Sequence, residues 1–221
     1  MSSVNVSPTP VAGTAVDDRA VSQDLLERVA RGELDGAIRI WKPVPALALS
    51  RLDELRPGAD AARAAAERAG VETIRRVSGG HAVVLGPGSF CVGFAEPAPT
   101  FEGTQERYER LSAALIHAFA ALGVDAERRE LDGEWCPGSW SISSSGIKLA
   151  GLAQRAIKGG AWTDAVVDLA PDAVSRELLA EVYDELGLLL DPTTLGSVSE
   201  RAGREVGFDE LSDALVKALV A

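Results

Sequence analysis

Read from its N-terminus, the chain shows no helical or strand period in its apolar positions before about residue 20. Ser22 then caps a short amphipathic segment, QDLLERVAR, which Gly32 ends. AIRIWKP alternates apolar and polar residues and reads as a strand, and ALALSRL, after Pro45, reads as a second. Pro57-Gly58 opens an alanine-rich helix, ADAARAAAERAG, closed by Gly70. Three strand signals follow, VETIRRV, HAVVL and SFCVGF, separated by Ser78-Gly79-Gly80 and by Gly86-Pro87-Gly88. The run predicts an antiparallel meander. From Thr104 to Leu122, apolar residues at Tyr108, Leu111, Leu115, Phe119 and Leu122 mark the buried stripe of a long helix. VDAERREL alternates like a strand, LDGEWCPGSW reads as a loop, and SISSSGIKLAGLAQRAIKGGAWTDAVVDL holds two or three more strands. DAVSRELLAEVYDELG and FDELSDALVKALV close the chain as helices.

Strands in the middle, with helices between and after them, predict an α+β fold with one mixed, mainly antiparallel sheet flanked by helices. Residues 1–20, dominated by Ser, Thr, Pro and Gly, are expected to be a flexible leader. Residues 21–221 are expected to form a single domain, since a chain of 221 residues can bury one full core.

Composition narrows the function classes. The net charge of −11 argues against general nucleic-acid binding, which needs a basic surface. The same charge means that an acidic protein partner must dock on a local basic patch. The N-terminus lacks the basic head and apolar core of a secretory signal, and no apolar run reaches the roughly 18 residues that span a bilayer. Two cysteines, Cys91 and Cys136, are too few for a disulfide scaffold, so a reduced cytoplasmic setting is expected. His81 and His117 form no spaced ligand set, and no metal is expected.

Two segments carry candidate chemistry. In the first, residues 75–94, Gly79 and Gly80 let the backbone approach a ligand and offer free N–H groups beside Arg75 and Arg76. A plain Ser-Gly-Gly hairpin is the alternative reading. The second, residues 135–162, offers Cys136 in a Pro-Gly turn and Lys148 between Gly146 and Gly151. Taken alone, Lys148 reads more readily as an exposed strand lysine and Cys136 as a half-buried loop thiol. Cys91, among apolar neighbours, reads as core packing. Arg155 and Lys158 suit either an acidic carrier or phosphate, or a solvated strand edge. Trp135, Trp140 and Trp162 either line a ligand tunnel or pack in the core.

Taken together, RRxSGG followed by AV, and then GxKLAGxAQR, resemble the lipoate-protein ligase and octanoyltransferase family over residues 39–169. The resemblance implies a biotin/lipoate ligase-like mixed sheet with a tunnel for an octanoyl or lipoyl chain, and a lysine, Lys148, that holds the activated carbonyl. It implies a substrate site at Arg75, Arg76, Ser78, Gly79, Gly80, His81, Ala82, Gly138, Gly151, Gln154 and Arg155. ATP-dependent members of the family read SGGGAVxHD followed by Gly-Asn. Here His81 replaces the third glycine, Leu85-Gly86 replaces His-Asp, and Gly88-Ser89 replaces Gly-Asn. WCPGSWSISSSGIKLAGLAQR is closer to the CPGxxDL…GxKxAGxxQRR stretch of the amidotransferases, with Ser141-Ile142 in place of Asp-Leu.

That branch implies Cys136 as a nucleophile carrying the acyl group as a thioester. A free thiol ionises near 8.5, so only a few per cent is thiolate at neutral pH, and a nearby Lys148 ammonium is expected to raise that fraction and steady the oxyanion. The expected partners are a lipoyl-domain acceptor and, as donor, an acyl carrier protein or a lipoylated carrier. No cofactor is expected, and lipoate or octanoate enters as substrate. ATP and Mg belong only to an alternative, a lipoate-protein ligase forming an acyl adenylate. A non-catalytic acyl-binding protein on the same fold is the other alternative. His81 is the only candidate general base nearby in sequence, and a neutral packed histidine is the competing reading.

Overall fold

A computed structural model describes residues 3–7, 9–100 and 102–220 of the chain. Among these residues, ten strands form two sheets. The large one takes β1 (Ser3–Ser7), β2 (Ala37–Trp41), β6 (Ser89–Ala98), β10 (Gly159–Asp168), β9 (Ile147–Ile157), β8 (Ile142–Ser144) and β7 (Glu127–Arg128), in that spatial order. The small one is β4 (Glu72–Arg75), β3 (Ala46–Leu49) and β5 (Val83–Leu85). The β1–β2 and β3–β4 pairs are parallel and the remaining pairs antiparallel, so the α+β, mainly antiparallel expectation holds while the single sheet becomes two.

The expected meander across residues 71–94 is not formed. β4 and β5 both pair with β3 and not with each other, and β6 belongs to the other sheet. Ser78-Gly79-Gly80 is therefore a connection that crosses from one edge of the small sheet to the other, and not a hairpin turn. Apolar runs specify which residues are buried. They do not specify which strand each run pairs with.

The predicted leader is also corrected. Ser3–Ser7 lies in register beside β2, and the first helix, α1, runs Ala15–Ala30. Residues 1, 2 and 8 of that leader lie outside the described residues. Thr14, and not Ser22, caps α1: its hydroxyl accepts from the Asp17 N–H, and the Asp17 carboxylate accepts from the Thr14 N–H, closing a capping box. Ser22 sits inside the helix, where its hydroxyl accepts from Arg39 at 2.8 Å. Arg39 is itself buried on β2, paired with the Asp18 carboxylate and stacked 4.3 Å over Trp41, so it ties α1 to the large sheet.

Alternation along the strands sorts the two faces of the large sheet. Phe90, Val92 and Phe94 of β6, with Ala165 and Val167 of β10, pack beneath α3 (Thr104–Ala121) and α6 (Phe208–Val220). Cys91 and Ala95 of β6, with Trp162 of β10, face α1 instead. Gly93, between them, lets the Trp162 ring lie flat on the strand. A Cβ there would stand 2.1 Å from the indole. The small sheet is covered by α2 (Ala59–Arg68) and α4 (Ala173–Glu185), whose Leu178, Leu179, Val182 and Tyr183 join Leu47, Leu49 and Val83 in a second core. The remaining helix, α5 (Val198–Ala202), is a short turn before α6. No helix is long and apolar enough to cross a membrane among the described residues.

Candidate active site

The two sheets meet where the Gly79-Gly80 connection passes the loop that precedes β8. Cys136 stands there, half-buried, with a φ of +42°. A non-glycine residue in this region costs about 1–3 kcal/mol and persists only when its surroundings impose it. Here they do. The Cys136 N–H donates to the Tyr183 hydroxyl at 2.5 Å, and that hydroxyl donates to the Ala82 carbonyl at 3.1 Å. The Cys136 carbonyl accepts from the Lys148 ammonium at 2.9 Å. With its backbone pinned on both sides, the Cys136 sulfur points at the glycine connection.

Two N–H donors meet that sulfur: Arg76 Nη1 at 3.3 Å and the His81 main-chain N–H at 3.2 Å. Arg76 is held by the His81 carbonyl at 2.5 Å. The guanidinium remains firmly protonated: burial works against the charge, but Cys136 and Asp164 outweigh it. Gly80, at φ +103°, makes the approach possible, because a Cβ there would lie 2.6 Å from the sulfur and 2.8 Å from Arg76 Nη1.

Lys148 holds the loop that carries Cys136. Its ammonium is fully buried behind the Cys136 loop and contacts Glu134 Oε1 (3.0 Å), Trp135 O (2.6 Å), Cys136 O (2.9 Å) and Ser141 Oγ (2.9 Å). Four acceptors share three N–H bonds, and no hydrogen bond joins the ammonium to the sulfur. Trp135 covers the ammonium with its ring face at 4.3 Å. Burial lowers the pKa of Lys148, and Glu134 opposes that shift. Glu134 is as buried as its partner and was not visible as a candidate in the sequence. The clue was its place two residues before the cysteine, with an acceptor-rich loop around it. Ser141 donates to the same Glu134 carboxylate and accepts from the Lys148 ammonium, in the same cluster.

Asp164 is the second residue that the sequence did not single out. It projects from β10 on the Trp162 face, accepts from Ser78 Oγ and from the Trp162 indole, both at 3.0 Å, and sits near Arg76. Burial raises its pKa, with Arg76 and Ser78 working the other way. Together with Arg76 and Ser78, it forms the polar part of a cavity between the sheets. Trp41, Ile74, Val83, Leu85, Cys91 and Trp162 supply apolar wall. Cys91 is thus a buried thiol facing the cavity, and burial raises its pKa well above the ordinary value.

The remaining candidates divide. Gly79, Gly80, Gly138 and Gln154 line the slot beside Cys136, together with Tyr108 and Trp140, whose rings stack at 4.9 Å. Gly151 lies under the Trp135 ring, and Ala82 is buried behind the site with its carbonyl on Tyr183. Arg75 and Arg155 are exposed on the other side of the glycine connection. Arg75 binds Glu54, and Arg155 reaches the Val77 carbonyl at 3.4 Å. The His81 ring turns to the buried Asp53 carboxylate, with Nδ1 at 3.0 Å.

The thiol is thus aimed by its own backbone and met by two N–H donors, one of them from Arg76, which also lines the apolar cavity. The chain belongs to the lipoyl protein ligase A/B catalytic domain family, whose model matches residues 15–220. It is 30% identical over 212 residues to an octanoyl-[GcvH]:protein N-octanoyltransferase of Geobacillus kaustophilus, covering 90% of this chain and 75% of that one. It is 24% identical over 206 residues to a lipoyl-[GcvH]:protein N-lipoyltransferase of Listeria monocytogenes, covering 88% and 74%. In fold it is similar to a lipoate-protein ligase A bound with ATP, with a TM-score of 0.74 at 18% identity, over 98% of this chain and 83% of that one. A bipartite lipoate protein ligase of Thermoplasma acidophilum superimposes with a TM-score of 0.69 at 15% identity, over 99% and 82%.

Proposed function

We propose that this protein is an acyltransferase that moves an octanoyl or lipoyl group between proteins, through a thioester on Cys136, to the lysine of a lipoyl-domain acceptor. The observation that carries the reading is the pair of N–H donors on the Cys136 sulfur, from Arg76 and His81, at the junction of the slot and the cavity. Both donors lie close to the point where an oxyanion would form.

The sulfur adds to the donor's acyl carbonyl, forming a C–S bond. The carbonyl oxygen takes up charge next to Arg76, and the donor's leaving group departs with a proton. The acceptor lysine, as a free amine, then adds to the thioester. The C–S bond breaks, the electron pair returns to sulfur, and the amine proton passes to solvent. Each step exchanges one acyl bond for another, so no ATP is consumed. Lys148 contributes by holding the Cys136 carbonyl and hence the direction of the sulfur. The relatives' names give acylated GcvH as donor, so an acylated lipoyl-domain protein takes that role here in preference to an acyl carrier protein. The reading carries a cytoplasmic setting, supported by two free thiols.

Incubation with an octanoylated lipoyl-domain protein or a small octanoyl thioester, followed by intact-protein mass spectrometry, tests the reading. An octanoyl adduct is expected, and C136A is expected to abolish it. Pyrophosphate release from ATP with lipoate, and no adduct, would replace this reading with adenylate chemistry. Fatty-acid binding with neither reaction would leave a non-catalytic acyl-binding protein.

A further inference from the structure

The glycine connection has two sides. One lines the slot of Cys136, and the other lines an open cleft of about 440 Å³ bounded by Arg51, Leu52, Arg75 and Arg155, with Arg76 at its floor. The chain as a whole is strongly acidic, with 33 Asp and Glu against 22 Lys and Arg. Yet arginines gather at this cleft, and Arg19 approaches it from α1, its Nε on the Arg75 carbonyl at 2.6 Å.

Most of this charge is left without a carboxylate. Arg75 is paired with Glu54. Arg19 and Arg155 are held through main-chain carbonyls, which fix the guanidinium without neutralising it. Arg51 is exposed and makes no hydrogen bond or ion pair among the described residues. The pKa of Arg19 is lowered first by burial and then by repulsion from Arg155 and Arg75, with the Glu27 carboxylate opposing, so these three charges feel one another. Next to Arg51, Leu52 and Leu55 are 68% and 74% exposed. A small anion would need only the arginines. Exposed leucines interleaved with arginine on an open cleft suit the face of a protein, where arginine and apolar contacts together anchor binding.

We infer that the cleft of Arg51, Leu52, Arg75 and Arg155, with Arg19 behind Arg75, is the docking surface for the acidic face of the lipoyl-domain protein that gives or takes the acyl group. The inference rests on the transfer reading above. It supplies what an acidic enzyme otherwise lacks, local attraction for an acidic partner. It also places that partner where its lysine arm passes Gly79-Gly80 to reach Cys136.

Titration calorimetry with an unmodified, acidic lipoyl-domain protein tests the surface without any chemistry. Raising NaCl from about 50 to about 300 mM is expected to weaken wild-type binding several-fold. Arg51→Glu is expected to raise Kd about ten-fold at low salt, while Arg51→Lys stays within about three-fold of wild type. Acylation of Cys136 by a small, uncharged octanoyl thioester is expected to be the same in wild type and R51E. Wild-type affinity in R51E, binding indifferent to salt, or equal loss of small-thioester acylation in R51E would each overturn the docking surface. Failure of the wild type to accept the acyl group, with the Kd pattern intact, would refute the transfer chemistry and leave the surface standing.

Discussion

Lysine 148 offers the sharpest test, because the structure gives it an architectural duty as well as a place beside the chemistry. Lys148→Met removes the ammonium but leaves the Glu134 carboxylate buried, with only Ser141 and the Leu131 N–H as hydrogen-bond partners. Breaking one side of a buried ion pair costs about 3–5 kcal/mol. For a chain of this size each kcal/mol moves Tm by about 2–4 °C, so a fall of roughly 6–20 °C is expected. Replacing both partners, as in K148M/E134L, is expected to recover much of the loss, because the desolvated carboxylate goes too. The double variant should still be slow to acylate. Neither residue would then pin the Trp135 and Cys136 carbonyls, and the strained Cys136 backbone would relax. The assay is thermal unfolding by circular dichroism alongside the rate of Cys136 adduct formation. A single variant that melts within about 2 °C of wild type would refute the anchoring argument. So would a double variant that acylates at the wild-type rate.

Arg76→Met is expected to slow octanoyl-adduct formation at Cys136 by about 10–100-fold, since it removes a charged donor from beside the point where the oxyanion forms; an unchanged rate of adduct formation would show that the 3.3 Å contact does not matter. Gly80→Ala is expected to lower adduct formation about 5–150-fold, what about 1–3 kcal/mol of strain and displacement implies. Gly79→Ala, with nothing within 4 Å of its Cβ, should be nearly silent, and equal effects of the two in the same mass-spectrometric assay would contradict the geometry. Asp168 has its pKa pushed up to about 7, chiefly by burial, with Arg176 and Lys148 opposing. Between its unfolded value near 4 and about 7, the folded state holds a proton that the unfolded state has lost, so this residue's contribution to stability falls as pH rises through that window. The Tm advantage of Asp168→Asn over wild type is therefore expected to grow from about pH 5 to pH 8. A constant difference would show that the carboxylate is not desolvated.

Local order was legible along the chain. The alanine-rich α2, the amphipathic α3 and the Asp172-capped α4 were all predicted close to their observed bounds, because a helix writes its period and its stops into consecutive residues. The three strands at 142–168 were readable for the same reason. The start of α1 was not, since a Thr14–Asp17 capping box inside a Ser-, Pro- and Gly-rich stretch is outweighed by composition.

The sequence by itself also determined the chemistry-bearing pieces: a cysteine in a Pro-Gly turn, a lysine twelve residues on, and a glycine pair beside two arginines. Only the tertiary structure decided how they face one another. Strand pairing separated β5 from β6 and so turned an apparent hairpin into a wall shared by slot and cleft. Burial gave Lys148 to Glu134 and to two carbonyls, and left Arg76, with the His81 N–H, to meet the sulfur. A charge written in the sequence has no fixed partner. Its partner is set by which acceptors the fold strips of water within its reach, and those come from segments far apart in the chain.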